Sequence, residues 1–110
     1  MTPIHKELAA GRWFELTFFE QMANIGSEIE RTITWKKKGN KQYEMLAFER
    51  GLELLDLSIS DMRNKTRLRE MLRVREALAD FFMFDNIYKT TNQLWQKYFY
   101  AFTFAARLKK

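Results

Sequence analysis

Apolar residues recur at steps of three and four positions through the first third of the chain, which is the spacing of one face of an α-helix. The stripe comprises Ile4, Leu8, Gly11, Phe18, Met22, Ile25, Ile29 and Ile33. Three lysines and Gly39 follow it, a sequence typical of a helix C-terminus. The pattern predicts one long helix over residues 4–38, against which the rest of the chain packs.

Gly26 and the Ser27-x-x-Glu30 motif suggest an alternative, because a glycine followed by a capping box can end one helix and begin another. The apolar register continues across this site without a change of phase, which favours one continuous helix. Ala23, Gly26 and Ser27 then form a patch of small residues where a second helix can approach closely.

Three shorter helices are predicted downstream, over residues 41–61, 65–84 and 91–108. Asn40 is the expected N-cap of the second helix, Asn64 or Thr66 that of the third, and Thr90, Thr91 or Asn92 that of the fourth. Gly51, inside the second helix, indicates another close helix contact. Short connections predict an all-α, antiparallel up-down four-helix bundle that forms a single domain over residues 1–110.

The predicted helix lengths do not match, since 35 residues span about 50 Å and the other helices only about 27 to 32 Å. Residues 4–17 would then extend beyond the bundle and expose large apolar side chains to water. We therefore expect a homo-oligomer, and the alternative is a bend near Gly11 that folds this segment back onto its own bundle. The predicted oligomer interface consists of Trp13, Phe14, Leu16, Trp95 and Phe99.

Composition argues against most catalytic and metal chemistry. There is no cysteine, His5 is the single histidine, and no glycine-rich phosphate loop is present. We therefore expect no catalytic residue, no metal and no cofactor. No apolar run approaches the length of a membrane span and no signal-peptide pattern begins the chain, so we expect no membrane association and a cytoplasmic protein.

The best catalytic alternative rests on carboxylates. Glu53 and Asp56 form a Glu-x-x-Asp motif one turn after Glu49, and Glu28 and Glu30 lie on the preceding helix. This arrangement resembles the all-α nucleotide pyrophosphohydrolases of the MazG type, which hold Mg²⁺ between carboxylates of facing helices. The adjacent Glu-Glu pair of that family is absent, and a solvated polar face also explains the pattern.

Charge points instead to a polyanionic partner. The chain carries a net charge of +5, and six cations but one carboxylate lie between Arg63 and Arg75. A second cluster lies between Lys36 and Lys41. Salt bridges, for instance from Arg73 or Arg75 to Glu53 or Asp56, are the ordinary alternative. The predicted RNA- or DNA-binding residues are Arg63, Lys65, Arg67, Arg69, Arg73, Lys36, Lys37, Lys38 and Lys41.

Residues 16–57 resemble the bacterial four-helix-bundle family of the ribosomal-RNA intervening-sequence proteins and the accessory variability determinant (Avd) of diversity-generating retroelements. The likeness lies in Gln21, Ile25–Ile29, Gly39-Asn40-Lys41, Tyr43 and Arg50-Gly51-Leu52 before Leu54. It implies a ring-like oligomer, a pentamer, that binds nucleic acid through basic surfaces and assists a reverse transcriptase. The expected function is thus a non-enzymatic nucleic-acid-binding accessory protein, and the alternatives are a protein assembly module or a Mg²⁺-dependent nucleotide hydrolase.

Overall fold

A computed structural model describes residues 11–108 and shows an all-α four-helix bundle, as predicted. A 3-10 turn precedes the first helix and a longer 3-10 segment precedes the third. In chain order the elements are the first 3-10 turn Arg12–Glu15, α1 Phe18–Lys37, α2 Lys41–Ser60, the second 3-10 segment Met62–Arg67, α3 Leu68–Met83 and α4 Asn92–Leu108.

The prediction of one helix over residues 4–38 is wrong, because α1 begins only at Phe18. Thr17 and Glu20 form a capping box there: each side chain accepts a hydrogen bond from the other residue's backbone N–H, at 3.1 and 2.9 Å. Upstream, Gly11 has a φ of 136° and the 3-10 turn folds back onto the bundle. This agrees with the alternative bend near Gly11, while the part of the prediction on residues 4–10 lies outside the described residues.

The turn between α1 and α2 forms as the sequence predicts. Gly39, with a φ of 75°, donates to the carbonyl of Lys36, and Asn40 donates to that of Trp35. These two bonds are those of a Schellman motif. The Asn40 side chain then caps α2 by accepting from Tyr43 N at 3.0 Å. Because the connection is short and fixed, α1 and α2 must run antiparallel.

Two glycines lie where another helix packs closely against α1. A Cβ added to Gly26 would lie 2.7 Å from Phe99 Cβ of α4, and one added to Gly51 of α2 would lie 3.2 Å from Ile29 Cδ1. The predicted helix contacts at both glycines are therefore confirmed. The alternative break at Gly26 is wrong, since α1 continues through it to Lys37.

The predicted caps of α3 are wrong, whereas one of those proposed for α4 is right. Arg67 precedes α3 without a side-chain capping bond, and Asn64 is instead buried among the polar groups described below. The hydroxyl of Thr91 accepts from Leu94 N at 3.1 Å at the start of α4. Before it, the carboxylate of Asp80 accepts the backbone N–H groups of Ile87 and Tyr88 and orders the loop between α3 and α4.

The core contains three of the five residues assigned to an oligomer interface. Trp13, Trp95 and Phe99 are only 1%, 3% and 4% exposed within a single chain. The prediction that these three side chains are exposed is wrong. The folded-back turn buries Trp13, and the face of α4 that packs on the core buries Trp95 and Phe99. Phe14 and Leu16 are partly buried against the same core. Between residues 11 and 108, no helix is long and apolar enough to cross a membrane.

Candidate nucleic-acid interface

A buried polar network occupies the end of the bundle where the first 3-10 turn meets α2. Trp13 Nε1 donates to Ser58 Oγ at 3.0 Å. Gln21 Nε2 donates to the Trp13 carbonyl at 3.1 Å and to Asp61 Oδ2 at 3.0 Å, and its Oε1 accepts from Asn64 Nδ2 at 2.8 Å. Every one of these side chains is at least nine-tenths buried. The network therefore explains why polar residues lie inside the bundle at this end.

Arg63 completes this network from the surface. Its guanidinium contacts both oxygens of Asp61, and Nη2 also donates to the Leu16 carbonyl at 2.8 Å. The hydrogen bonds from Arg63, assisted by one from Gln21, lower the pKa of the Asp61 carboxyl from 3.8 to about 2, although burial opposes the shift. Arg63 was predicted to bind nucleic acid, but its guanidinium is engaged in holding the chain ahead of α1 in place.

The other predicted cations near α3 differ in their surroundings. Arg67 lies 3.8 Å from Glu70 and places its guanidinium carbon 4.4 Å from the Phe18 ring centroid. Lys65, Arg69 and Arg73 are exposed and form no ion pair within residues 11–108. Arg69 and Arg73 are one turn apart on α3, and Lys65 lies in the 3-10 segment just before that helix. We call Lys65, Arg69 and Arg73 the α3 basic row.

The expected salt bridge between α3 and α2 is present, but it involves only one of the proposed arginines. Arg75 donates to Asp56 through Nε at 2.6 Å and Nη2 at 3.2 Å. The hydrogen bond to Asp56 raises the pKa of Arg75 above its usual value. Arg73, the other arginine proposed for this salt bridge, is not part of it. Asp56 of α2 therefore does not neutralise the α3 basic row.

The second predicted cluster is largely engaged with its neighbours. Lys36 Nζ lies 3.8 Å from the Phe81 ring centroid, Lys38 Nζ lies 5.0 Å from that of Trp35, and Lys41 Nζ lies 3.8 Å from Glu44 Oε2. Lys37 is exposed without such a contact in the described part of the chain.

The two basic clusters lie at opposite ends of the bundle. Arg67 contacts Phe18 at the start of α1, whereas Lys36 contacts Phe81 near the other end of α1. Eighteen residues of helix separate Phe18 from Lys36 and span roughly 27 Å. The structure therefore does not bring the predicted nucleic-acid-binding residues together into one site.

A basic and aromatic surface that the sequence pattern did not predict lies on the outside of the α1–α2 hairpin. The rings of Trp35 and Tyr43 meet edge to face with centroids 4.8 Å apart. A pocket of about 250 Å³ beside them is lined by Arg31, Trp35, Tyr43, Leu46, Ala47 and Arg50. The available signal was the spacing of four between Arg31 and Trp35 and of seven between Tyr43 and Arg50, which places each pair on one helix face.

The carboxylates considered for Mg²⁺ are not gathered into a site. Asp56 is paired with Arg75, Glu49 faces solvent, and Glu30 accepts from Gln96 Nε2 at 3.1 Å. Glu28 is buried and accepts from Arg31. In the described part of the chain, no group of three or more histidine, cysteine, aspartate or glutamate residues is arranged to hold a metal ion.

Comparison with known proteins adds no relative to this picture. No family model, no curated protein and no solved structure matches the chain. The described residues form a four-helix bundle, and the whole chain is basic, with a net charge of +5.

Proposed function

We propose that this bundle binds nucleic acid through its exposed cations and acts as a non-enzymatic accessory protein. The observation that carries the proposal is the α3 basic row, whose three cations have no ion-pair partner among residues 11–108. Surface cations kept only for solubility are usually interspersed with acids. The three cations of the α3 basic row contribute to the excess of positive charge that gives the whole chain a net charge of +5.

Phosphate contacts explain the arrangement in energetic terms. Cations near the N-terminus of a helix are disfavoured by roughly 0.3 to 1 kcal/mol each, because the helix dipole is positive there. Arg69 lies in the first turn of α3, and the helix begins without a side-chain capping bond. A phosphate backbone offsets the cost of these cations, since it brings negative charge to them and releases its own counterions.

The resemblance to the Avd and intervening-sequence family supports an accessory role beside this binding. In that role the partner protein is a reverse transcriptase, and the bundle acts as a ring-shaped oligomer. Glu49, Glu53 and Asp56 then have no role as ligands of Mg²⁺.

Binding to a labelled DNA duplex over a range of salt concentrations tests the proposal. Arg69→Gln with Arg73→Gln should weaken binding and flatten the slope of log K against log salt by up to about 1.8, because two phosphate contacts are lost. Lys89→Gln with Lys97→Gln is the matched control, since it removes the same charge from exposed positions on the α3–α4 loop and α4.

The control variant should keep the wild-type slope. Equal losses in both double variants would mean that only net charge matters, and the α3 basic row would lose its role. A wild-type protein without measurable affinity for duplex or single strands at low salt would overturn the nucleic-acid proposal as a whole.

A second candidate function is that of a protein assembly module without nucleic acid, and a specific surface favours it. Large apolar side chains are exposed around the α3–α4 loop, where Met83, Phe84, Ile87 and Tyr88 are 53%, 71%, 73% and 50% exposed. Leu72 and Ala79 of α3 extend this surface as the wall of a groove of about 690 Å³. Apolar surface of this kind marks interaction sites in soluble proteins.

This surface replaces the buried tryptophans as the candidate contact between copies. Phe84→Ser with Ile87→Ser should reduce the mass measured by light scattering if the surface joins copies of the chain. A full-length protein that scatters as a 13.3 kDa monomer at all concentrations would exclude this candidate.

A further inference from the structure

We infer that Trp35 and Tyr43 form a stacking platform for the bases of single-stranded nucleic acid. The inference rests on the proposed nucleic-acid binding and specifies which form is bound and where. The platform is the surface of Arg31, Trp35, Lys38, Tyr43 and Arg50 on the α1–α2 hairpin, and it is separate from the α3 basic row.

The first observation is the position of the two rings. Tyr43 is 46% exposed and Trp35 is half-buried, although the core of this bundle takes up Trp13 and Trp95 almost completely. The ring planes of Trp35 and Tyr43 meet at 75°. In an edge-to-face pair one ring presents its edge, so the pair does not cover both faces of both rings.

The second observation is the rigidity of the platform. Trp35 lies in the last turn of α1 and its carbonyl accepts the Schellman bond from Asn40 N at 3.0 Å. Tyr43 lies in the first turn of α2, and its N–H donates to the capping side chain of Asn40. A single asparagine therefore fixes the backbone at both rings. A site ordered before binding loses less conformational entropy when a ligand arrives.

The third observation is the charge around the rings. Arg31 and Arg50 line the pocket beside both rings, while Lys38 Nζ is engaged with the Trp35 ring, 5.0 Å from its centroid. Arg50 is exposed and has no ion pair within the described residues. Arg31 is paired with Glu28, whose other oxygen Oε2 is buried and has no hydrogen-bond partner.

These features together fit a single strand better than a duplex. Binding of single strands without sequence preference combines cations that follow the backbone with aromatic rings on which successive bases stack. The faces of bases in a duplex are already stacked on one another, so two surface rings gain nothing from them. The chemical class of the ligand is therefore a flexible single strand of RNA or DNA.

Fluorescence anisotropy with a labelled thymidylate strand and with a duplex of the same length tests the inference. Tyr43→Leu keeps the apolar volume but removes the ring, and it should weaken single-strand binding by roughly 5- to 150-fold, the effect of losing one stacked base. Duplex affinity and the salt slope should stay unchanged. Tyr43→Phe should retain single-strand affinity to within about 2-fold, since its ring still stacks.

Arg50→Gln provides a second test that does not alter the rings. It should lower the single-strand salt slope by about 0.7, the value for one phosphate contact. Thermal unfolding by circular dichroism should be nearly unchanged for Arg50→Gln, because Arg50 is exposed, and only modestly lowered for Tyr43→Leu, which loses the ring contact with Trp35.

The outcomes separate this inference from the proposed function. If Tyr43→Leu and Arg50→Gln bind the single strand like wild type while Arg69→Gln with Arg73→Gln does not, the platform is wrong and the proposed function stands. If the wild-type protein binds neither probe, both fall. Tyr43→Leu that lowers the scattering mass without changing nucleic-acid affinity would instead assign the rings to a protein contact, and the inference would be overturned.

Discussion

Trp13 Nε1 donates a hydrogen bond to Ser58 Oγ at 3.0 Å across 45 positions of sequence, and both side chains are almost completely buried. This contact joins the chain ahead of α1 to the last turn of α2. Gln21 of α1 binds the Trp13 carbonyl from the other side. The segment is therefore an integral part of the core, with its own polar anchor.

Ser58→Ala should destabilise the protein by about 1 to 3 kcal/mol, because it leaves the buried indole N–H of Trp13 without an acceptor. Chemical denaturation followed by circular dichroism measures the change. Ser60→Ala is the matched control: it lies on the exposed side of the same turn, and among residues 11–108 its hydroxyl bonds only to the Leu57 carbonyl. Equal effects of the two changes would contradict a specific role for the Trp13–Ser58 bond.

Trp13→Ala should lower the free energy of unfolding by about 3 to 5 kcal/mol, as expected for a large aromatic residue removed from a core. If Trp13 instead lies between subunits, the same change should lower the scattering mass at concentrations where the protein stays folded. We expect a lower free energy of unfolding and an unchanged scattering mass. The mass is measured well below the temperature at which the variant unfolds.

Acid should destabilise the bundle through Asp61. Its pKa is about 2 in the folded protein against 3.8 for the free side chain, so its contribution is complete above about pH 5 and is lost as the pH falls toward 2. We expect the loss in the free energy of unfolding to be about 1 to 2 kcal/mol, after allowance for the half-exposed Arg63. Asp61→Asn should reduce the slope of stability against pH in this window. An identical slope in wild type and Asp61→Asn would contradict the assignment.

Gly26→Ala should destabilise the packing of α4 on α1, because the new Cβ would lie 2.7 Å from Phe99 Cβ. In an open helix the same change should stabilise by about 1 kcal/mol through helix propensity. Ser27→Ala, at an exposed neighbouring position, is the control and should be neutral or slightly stabilising. A higher melting temperature for Gly26→Ala would show that the two helices separate easily.

Local chemistry explains which helix boundaries were predictable. Gly39 and Asn40 form the turn after α1 as expected, since the turn depends on a positive φ and on one side-chain cap within a few residues. The start of α1 was missed because the apolar spacing continues upstream of Thr17. Apolar spacing indicates which side chains are buried, but not whether a helix buries them. Here the 3-10 turn buries Trp13 without continuing the helix.

Partners distant in sequence explain why the candidate site was only partly predictable. Arg63, Arg69 and Arg73 look alike as positions in a basic run, yet only Arg63 meets a buried carboxylate. Likewise, Trp35 and Tyr43 lie on different helices, and no spacing within either helix shows that their rings meet.

The sequence by itself determined the all-α class, the four-helix count, the turn at Gly39 and the positive charge, because each depends on composition or on contacts within a few residues. Tertiary structure decided that Trp13 lies in the core and that the rings of Trp35 and Tyr43 meet. It also decided that Arg63 holds the chain ahead of α1 through the Leu16 carbonyl, whereas Arg69 has no ion pair in the described chain. The physical reason is that burial and pairing depend on distances between helices. Those distances are set by the close approaches at Gly26 and Gly51.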